Sequence, residues 1–306
     1  MSEPRLSAFG LSALKIEWPT LGLVLGCYAV WGLSLFLLPT VSLVGAVLLL
    51  GVAIAFHSSL CHEAIHGHPF TSDRLNAALM FPALALIVPY ARFRDTHLAH
   101  HRDEHLTDPY DDPESNYLDP ARWTLLARPV QALLRVNNTL VGRLVLGPVI
   151  GTVFWLRGDV QALRAGDRPV IMGWLAHIPA VALVIWLVTL SPMSFWAYAI
   201  SAYLGPSLLK IRTFLEHRAH EKARARTVII EDRGPLALLF LNNNLHVVHH
   251  MHPQVPWYRL PALYRANRDH YLRRNEGYRY RSYGQVFRQH FLRAKDPVPH
   301  PLWPQD

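Results

Sequence analysis

The residues best suited to chemistry in this chain are its histidines. There are 18 of them, and they cluster. His62-Glu-Ala-Ile-His66 comes first, then His97-Leu-Ala-His100-His101. His217-Arg-Ala-His220 follows, and His246-Val-Val-His249-His250 repeats the spacing of the second cluster. On a helix, positions i, i+3 and i+4 share one face. His97, His100 and His101 therefore project together, as do His246, His249 and His250, while His62 and His66 align at i and i+4. Imidazole suits iron, zinc, copper and nickel. Eight imidazoles are too many for one ion and suit two metals with about four nitrogen ligands each. A lone histidine is usually exposed or hydrogen-bonded. A scatter of such residues does not repeat an H-x-x-H-H spacing beside a third pair. The two cysteines, Cys27 and Cys61, form neither a metal-ligand pair nor a disulfide framework.

Membrane spans must position these clusters. Hydrophobic residues make up 51% of the 306-residue chain and charged residues 17%, against about 25% charged in a typical soluble domain. Residues 19–38 carry no charge, and 41–60 carry only His57 as a titratable group. Each is long enough to cross ~30 Å of hydrocarbon as a helix. Pro39 and Thr40 permit only a tight turn between them. The first span reads as retained rather than as a cleaved signal. Residues 169–190 and 193–212 form a second hairpin through Ser191 and Pro192. Residues 75–91, interrupted by Pro82 and Pro89, and 130–156, with Arg135 and Arg143, read as interfacial or re-entrant helices. The expected fold is thus an all-α integral membrane protein. Four transmembrane helices form two hairpins, and a helical cap carries a di-metal site. The cap is built from 61–168 and 213–306 within a single domain, 1–306.

The formal charge is +8. The arginines flank apolar segments and crowd the tail (Arg259, Arg265, Arg268, Arg273, Arg274, Arg279, Arg281). The positive-inside rule places that face in the cytoplasm. No nucleic-acid-binding motif accompanies the charge.

From His62 to about Pro261 the chain resembles the membrane fatty-acid desaturase superfamily, through the order H-x-x-x-H, H-x-x-H-H, H-x-x-H-H. The segments RTFLEHRAH and FLNNNLHVVHH are similar to those of bacterial members. That superfamily includes desaturases, hydroxylases and carotenoid ketolases. The resemblance implies two iron ions held by His62, His66, His97, His100, His101, His217, His246, His249 and His250. His217 is included because the acyl-CoA desaturase branch has a ninth histidine after the last span. Four residues earlier that branch has a water-binding asparagine, where this chain has Thr213. Asn242, four before His246, is the alternative. The resemblance also implies the bacterial inner membrane, with the site on the cytoplasmic side.

The implied chemistry is O2-dependent attack on an unactivated C–H bond, for which the protein supplies positioning and exclusion. The chain has no flavin or haem motif, so an external donor, ferredoxin or similar, must deliver the electrons. An acidic carrier would suit the basic face. The expected substrate is a lipid drawn from the bilayer. An acyl-lipid desaturase is the leading expectation, and a lipid hydroxylase or a carotenoid ketolase or hydroxylase is the alternative.

Other residues have plainer readings. His68, His105 and His220 read as neighbours of the site or as exposed groups. His177, within a span, reads as a functional group or as a hydrogen-bonded interhelical histidine. Glu63, Asp103, Glu104 and Glu216 sit beside ligands, where carboxylates orient metal-bound imidazoles. Asp108, Asp111, Asp112 and Glu114 read as an acidic turn around Pro109 and Pro113. His62-Glu63-x-x-His66 also matches a zinc metalloprotease motif, but that reading leaves both H-x-x-H-H clusters unexplained. A metal transporter would hold its ligands within the spans, whereas these histidines lie at span ends and beyond.

Overall fold

A computed structural model of the protein describes residues 16–102 and 104–303. Asp103 lies outside the described residues. The fold is helical. In chain order the helices are α1 (Trp18–Phe36), α2 (Leu43–Ile65), α3 (Asp73–Leu79), α4 (Tyr90–His100), α5 (Pro120–Leu125), α6 (Arg128–Asn137) and α7 (Leu140–Arg164). Then come α8 (Arg168–Thr189), α9 (Phe195–Thr213), α10 (Pro235–Leu239), α11 (His246–Met251), α12 (Leu260–Ala266), α13 (Arg268–Arg274) and α14 (Tyr283–His290). Two short strands, β1 (Ile229–Ile230) and β2 (Arg279–Tyr280), pair in parallel within the cap.

Four stretches are long and apolar enough to cross a membrane: Trp18–Thr40, Leu43–Ile65, Leu140–Arg164 and Arg168–Thr189. The first hairpin and α8 match the sequence reading. The fourth expected span, 193–212, is not among them, and α7 is. The reason lies in what each helix faces. α9 buries Tyr198, Ser201, Gly205 and Ser207 against its neighbours, so it needs less apolar surface toward lipid. Association between helices in lipid relies on close packing of small residues rather than on expulsion of water. Gly205 sits against Ile54 of α2, and Gly51 of α2 sits against Leu204. Around these contacts Trp31, Leu50, Ile54, Val184 and Tyr198 join α1, α2, α8 and α9 in one apolar core. Leu25, Val44, Leu48, Ile178 and Trp186 face outward, as lipid-facing residues do.

α7 packs along the second half of α9, where the Tyr203 hydroxyl donates to the Val145 carbonyl. Its Gly147 and Gly151 lie against Lys210 near the end of α9. Further on, its Asp159 accepts a hydrogen bond from Trp174 in the second turn of α8 (2.8 Å). These last two contacts are at the open end of the α8/α9 hairpin.

Residues 75–91 do not form the expected helix. α3 ends at Leu79, and the chain then runs without regular structure to Pro89, with Leu86 at a φ of 67°. Pro82 and Pro89 cannot donate to a helical ladder. Unpaired backbone groups in an apolar setting are costly, and side chains from three helices satisfy them. Tyr28 donates to the Leu79 carbonyl (2.7 Å), Tyr198 to that of Leu84 (2.8 Å) and His177 Nε2 to that of Leu86 (2.9 Å). His177 is thus the hydrogen-bonded alternative of the two expected for it.

Candidate metal centre

The nine histidines come from four pieces of chain. His62 lies in the last turn of α2, and His66 caps its end. α4 supplies His97 and His100, with His101 as its C-cap. α11 carries His246, His249 and His250. His217 lies beyond α9, where a bridge to Thr227 fixes its backbone. The i, i+3, i+4 reading therefore holds on both helices.

These side chains converge in two groups. His62, His66, His97, His101 and His249 form one; His100, His217, His246 and His250 form the other. Within each group, one ligating atom per residue lies within 4.8 Å of all the others. The H-x-x-H-H motifs are split between them. α4 gives His97 and His101 to the first group and His100 to the second. α11 gives His249 to the first, and His246 and His250 to the second.

The donor set fits metal ions. His97 Nδ1 bonds Glu114 Oε1 (2.9 Å), His100 Nδ1 bonds Asp112 Oδ1 (2.7 Å) and His246 Nδ1 bonds Asn243 Oδ1 (2.8 Å). An acceptor at Nδ1 holds the proton there and leaves Nε2 as a lone pair. Those lone pairs point into the groups. His97 Nε2 lies 3.1 Å from His66 Nε2 and 3.0 Å from His101 Nε2. His217 Nε2 faces both His100 Nε2 (2.9 Å) and His246 Nε2 (3.2 Å). One proton on His217 cannot serve two lone pairs. A cation at each convergence satisfies all of them.

Electrostatics keep most of these imidazoles neutral, as metal ligands must be. Burial, reinforced by His97 and other neighbouring imidazoles, pushes His66 down to about 2. Burial and the surrounding histidines hold His217, His246 and His249 well below the ordinary value, and lower His101 in the same way. His100 differs. Burial opposes its charge, but Glu114 and Asp112 prevail and raise it to about 9. Glu114 is lowered in turn: burial works against its carboxylate, and the adjoining His100 and His97 outweigh burial.

The supporting residues correct part of the sequence reading. Asp112 and Glu114 do belong to a folded turn, in which Asp112 accepts from Thr107 N and Glu114 N. They also orient two histidines, which spacing alone could not reveal. Asn243, rather than Asn242, is the asparagine beside the histidines. Its side chain touches both His246 and His62, whereas Asn242 donates to the Trp257 carbonyl. Glu216 pairs with Arg212 (2.9 Å) and lies 3.9 Å from His246 Nδ1. Glu63 accepts from Trp257 N (3.1 Å) and stands 3.7 Å from His62. Glu104 is exposed, and its backbone carbonyl accepts from Arg226.

His68, His105 and His220 lie outside both groups. They face Glu17, Asp111 and Glu276 respectively. With three further imidazoles beside His62 and His66, the protease reading of that motif has no geometric support. Lys295, from the C-terminal segment, was not anticipated. Its Nζ donates to the His217 carbonyl (2.6 Å).

Comparison with known proteins agrees with this arrangement. Residues 38–282 match the model of the fatty acid desaturase family. A beta-carotene ketolase of Paracoccus sp. (strain N81106 / MBIC 01143) is 30% identical over 211 residues, covering 66% of this chain and 71% of the relative. A beta-carotene ketolase of Paracoccus sp. (strain PC1) is 29% identical over 262 residues, covering 82% and 88%. With its apolar helices, its paired histidine groups and a family match over most of its length, the chain belongs to the fatty acid desaturase family of integral-membrane oxidoreductases.

Proposed function

We propose that the protein is a di-iron oxygenase that oxidises a long apolar lipid, with the nine histidines as iron ligands. The observation that carries this reading is the convergence of nine imidazoles into a group of five and a group of four. Two irons bound there would supply O2 activation, with electrons from an external carrier such as a ferredoxin.

The protein's own contribution is positional. Glu114, Asp112 and Asn243 fix the tautomers of His97, His100 and His246. α2, α4 and α11 bring the ligands to one end of the apolar core. In this reading the lipid chain reaches the centre from the bilayer, on the face read as cytoplasmic from the tail's arginines. Similarity to two ketolases favours oxygen insertion into a carotenoid-like polyene. The family description supports the second reading, desaturation of an acyl chain.

The test is expression in a host that accumulates β-carotene, with profiling of both pigments and acyl lipids. New oxygenated carotenoids support the first reading. Acyl chains short of two hydrogens support the second. His100→Ala should abolish iron loading and product while leaving membrane insertion intact. Full activity in that variant would overturn the di-iron assignment.

A further inference from the structure

The cap carries charge that the metal centre does not use. Two adjoining cavities, of about 510 and 610 Å³, share Arg281 and Ser282 in their walls. Arg279, Arg281 and Arg288 line the first. Arg233, Arg265 and Arg268 line the second, together with Glu231 and Asp232. Both carboxylates are already engaged. Glu231 accepts from Tyr264, Arg268 and Arg279. Asp232 accepts from the backbone N–H groups of Gly234 and Tyr283. Among the described residues, no carboxylate pairs with Arg233, Arg265, Arg281 or Arg288, and all four are exposed. Four uncompensated guanidiniums around one trough recruit an anion. The planar guanidinium fork matches phosphate oxygens in pairs.

The surroundings indicate where that phosphate comes from. Phe291 and Leu292 follow directly on α14, three and four residues past Arg288. Phe291 is 43% exposed and Leu292 76%. The Phe291 carbonyl accepts from Val141 N at the start of α7, whose Val145 and Val149 are also uncovered. The trough therefore borders bare apolar surface continuous with α7. Arginines beside exposed apolar side chains are how a protein seats itself on an anionic membrane surface. We propose that this trough binds the phosphate of an anionic phospholipid headgroup.

The test uses the full-length protein in nanodiscs of phosphatidylcholine, alone or mixed with phosphatidylglycerol, followed by native mass spectrometry of the lipid retained on detergent release. Phosphatidylglycerol should be retained in preference to phosphatidylcholine. Excess inorganic phosphate should not displace it. The double variant Arg281→Gln/Arg288→Gln should retain it roughly 10-fold less or weaker still, as expected when two basic residues leave an anionic surface. Its metal content should be unchanged, which separates loss of the site from misfolding. Equal retention of the two lipids, or wild-type retention by the double variant, overturns the proposal. So does ready displacement by inorganic phosphate, which would assign the trough to a soluble anion. A raised KM for an acidic [2Fe–2S] ferredoxin with lipid retention intact would overturn it in favour of a protein-docking surface.

Discussion

At the scale of the residue, the chemistry depends on which nitrogen of each histidine carries its proton. Asp112 accepts from His100 Nδ1 within 2.7 Å, and both side chains are almost wholly enclosed. Asp112→Asn keeps the shape but removes the charge that fixes the tautomer. Loss of such a supporting partner typically costs 10- to 100-fold in metal affinity. We expect a drop of that order in iron retention, read by metal analysis after chelator challenge, with little change in expression. Acidity should act on the same residues. Burial lowers His66 to about 2 and holds His217, His246 and His249 down, so the folded state binds fewer protons than the unfolded chain below pH 6.5. The metal-free protein should therefore be most stable above pH 6.5 and lose stability as the pH falls below it. The loss is about 1 kcal/mol per histidine per pH unit. His100, raised to about 9, works in the opposite direction: its contribution is complete below pH 6.5 and fades as the pH climbs through 9. Thermal melts of the metal-free protein between pH 7 and 5 check the balance. A melting temperature that rises on acidification would contradict it.

At the scale of the element, the site is only as well placed as the helices that end beneath it. α2 delivers His62 and His66, and its position against α9 is set by the glycine contacts. A Cβ on Gly205 would come within 2.5 Å of Ile54 Cγ2 and 2.9 Å of its Cβ. Neither atom is the free end of a flexible chain. Gly205→Ala should cost about 1–3 kcal/mol, the usual range for overpacking. It should also shift α2 enough to lower iron occupancy. Detergent-solution melting temperature and metal content would both fall, and unchanged values for both would disprove the tight contact. α4 depends on its lead-in. The irregular stretch after α3 is held by Tyr28, Tyr198 and His177, and Arg92 in the first turn of α4 makes a two-pronged contact with Asp159 of α7. α7 and α8 carry no proposed ligand, yet they clamp the helix that carries three.

At the scale of the whole molecule, the C-terminal segment is a strap across the site. Lys295 donates to the His217 carbonyl, and Asp296 accepts from the Tyr117 hydroxyl. His300 Nε2 meets Thr107 Oγ1 (3.2 Å). Leu118 N donates to the Val298 carbonyl, and His300 N donates to that of Leu118. The strap thus joins the loop of Asp112 and Glu114 to the segment of His217, and its contact of His300 with Thr107 spans 193 residues of sequence. Truncation after Arg293 should leave membrane insertion intact and reduce iron occupancy several-fold, an effect in keeping with loss of supporting contacts around a metal site. Normal iron content in the truncated protein would show that the strap does not support the site.

Much of this was legible in the sequence. Helical periodicity placed the histidines of α4 and α11 on shared faces, because spacing along a helix is a local property. Uncharged runs of about 20 residues marked the first hairpin and α8 for the same reason. The sequence also determined the family, through motifs whose order is linear. Three features required the tertiary structure. Each H-x-x-H-H motif splits between two histidine groups, because those groups are assembled from four separate pieces of chain. α7 is apolar enough to cross a membrane, and its packing on α9 and α8 through Tyr203, Lys210 and Trp174 is set by residues distant in sequence. Asp112 and Lys295 support His100 and His217, and Asn243 reaches His62, across separations that no local pattern encodes. The sequence marked the histidines as a group; the packing of distant segments decided how their nitrogens converge.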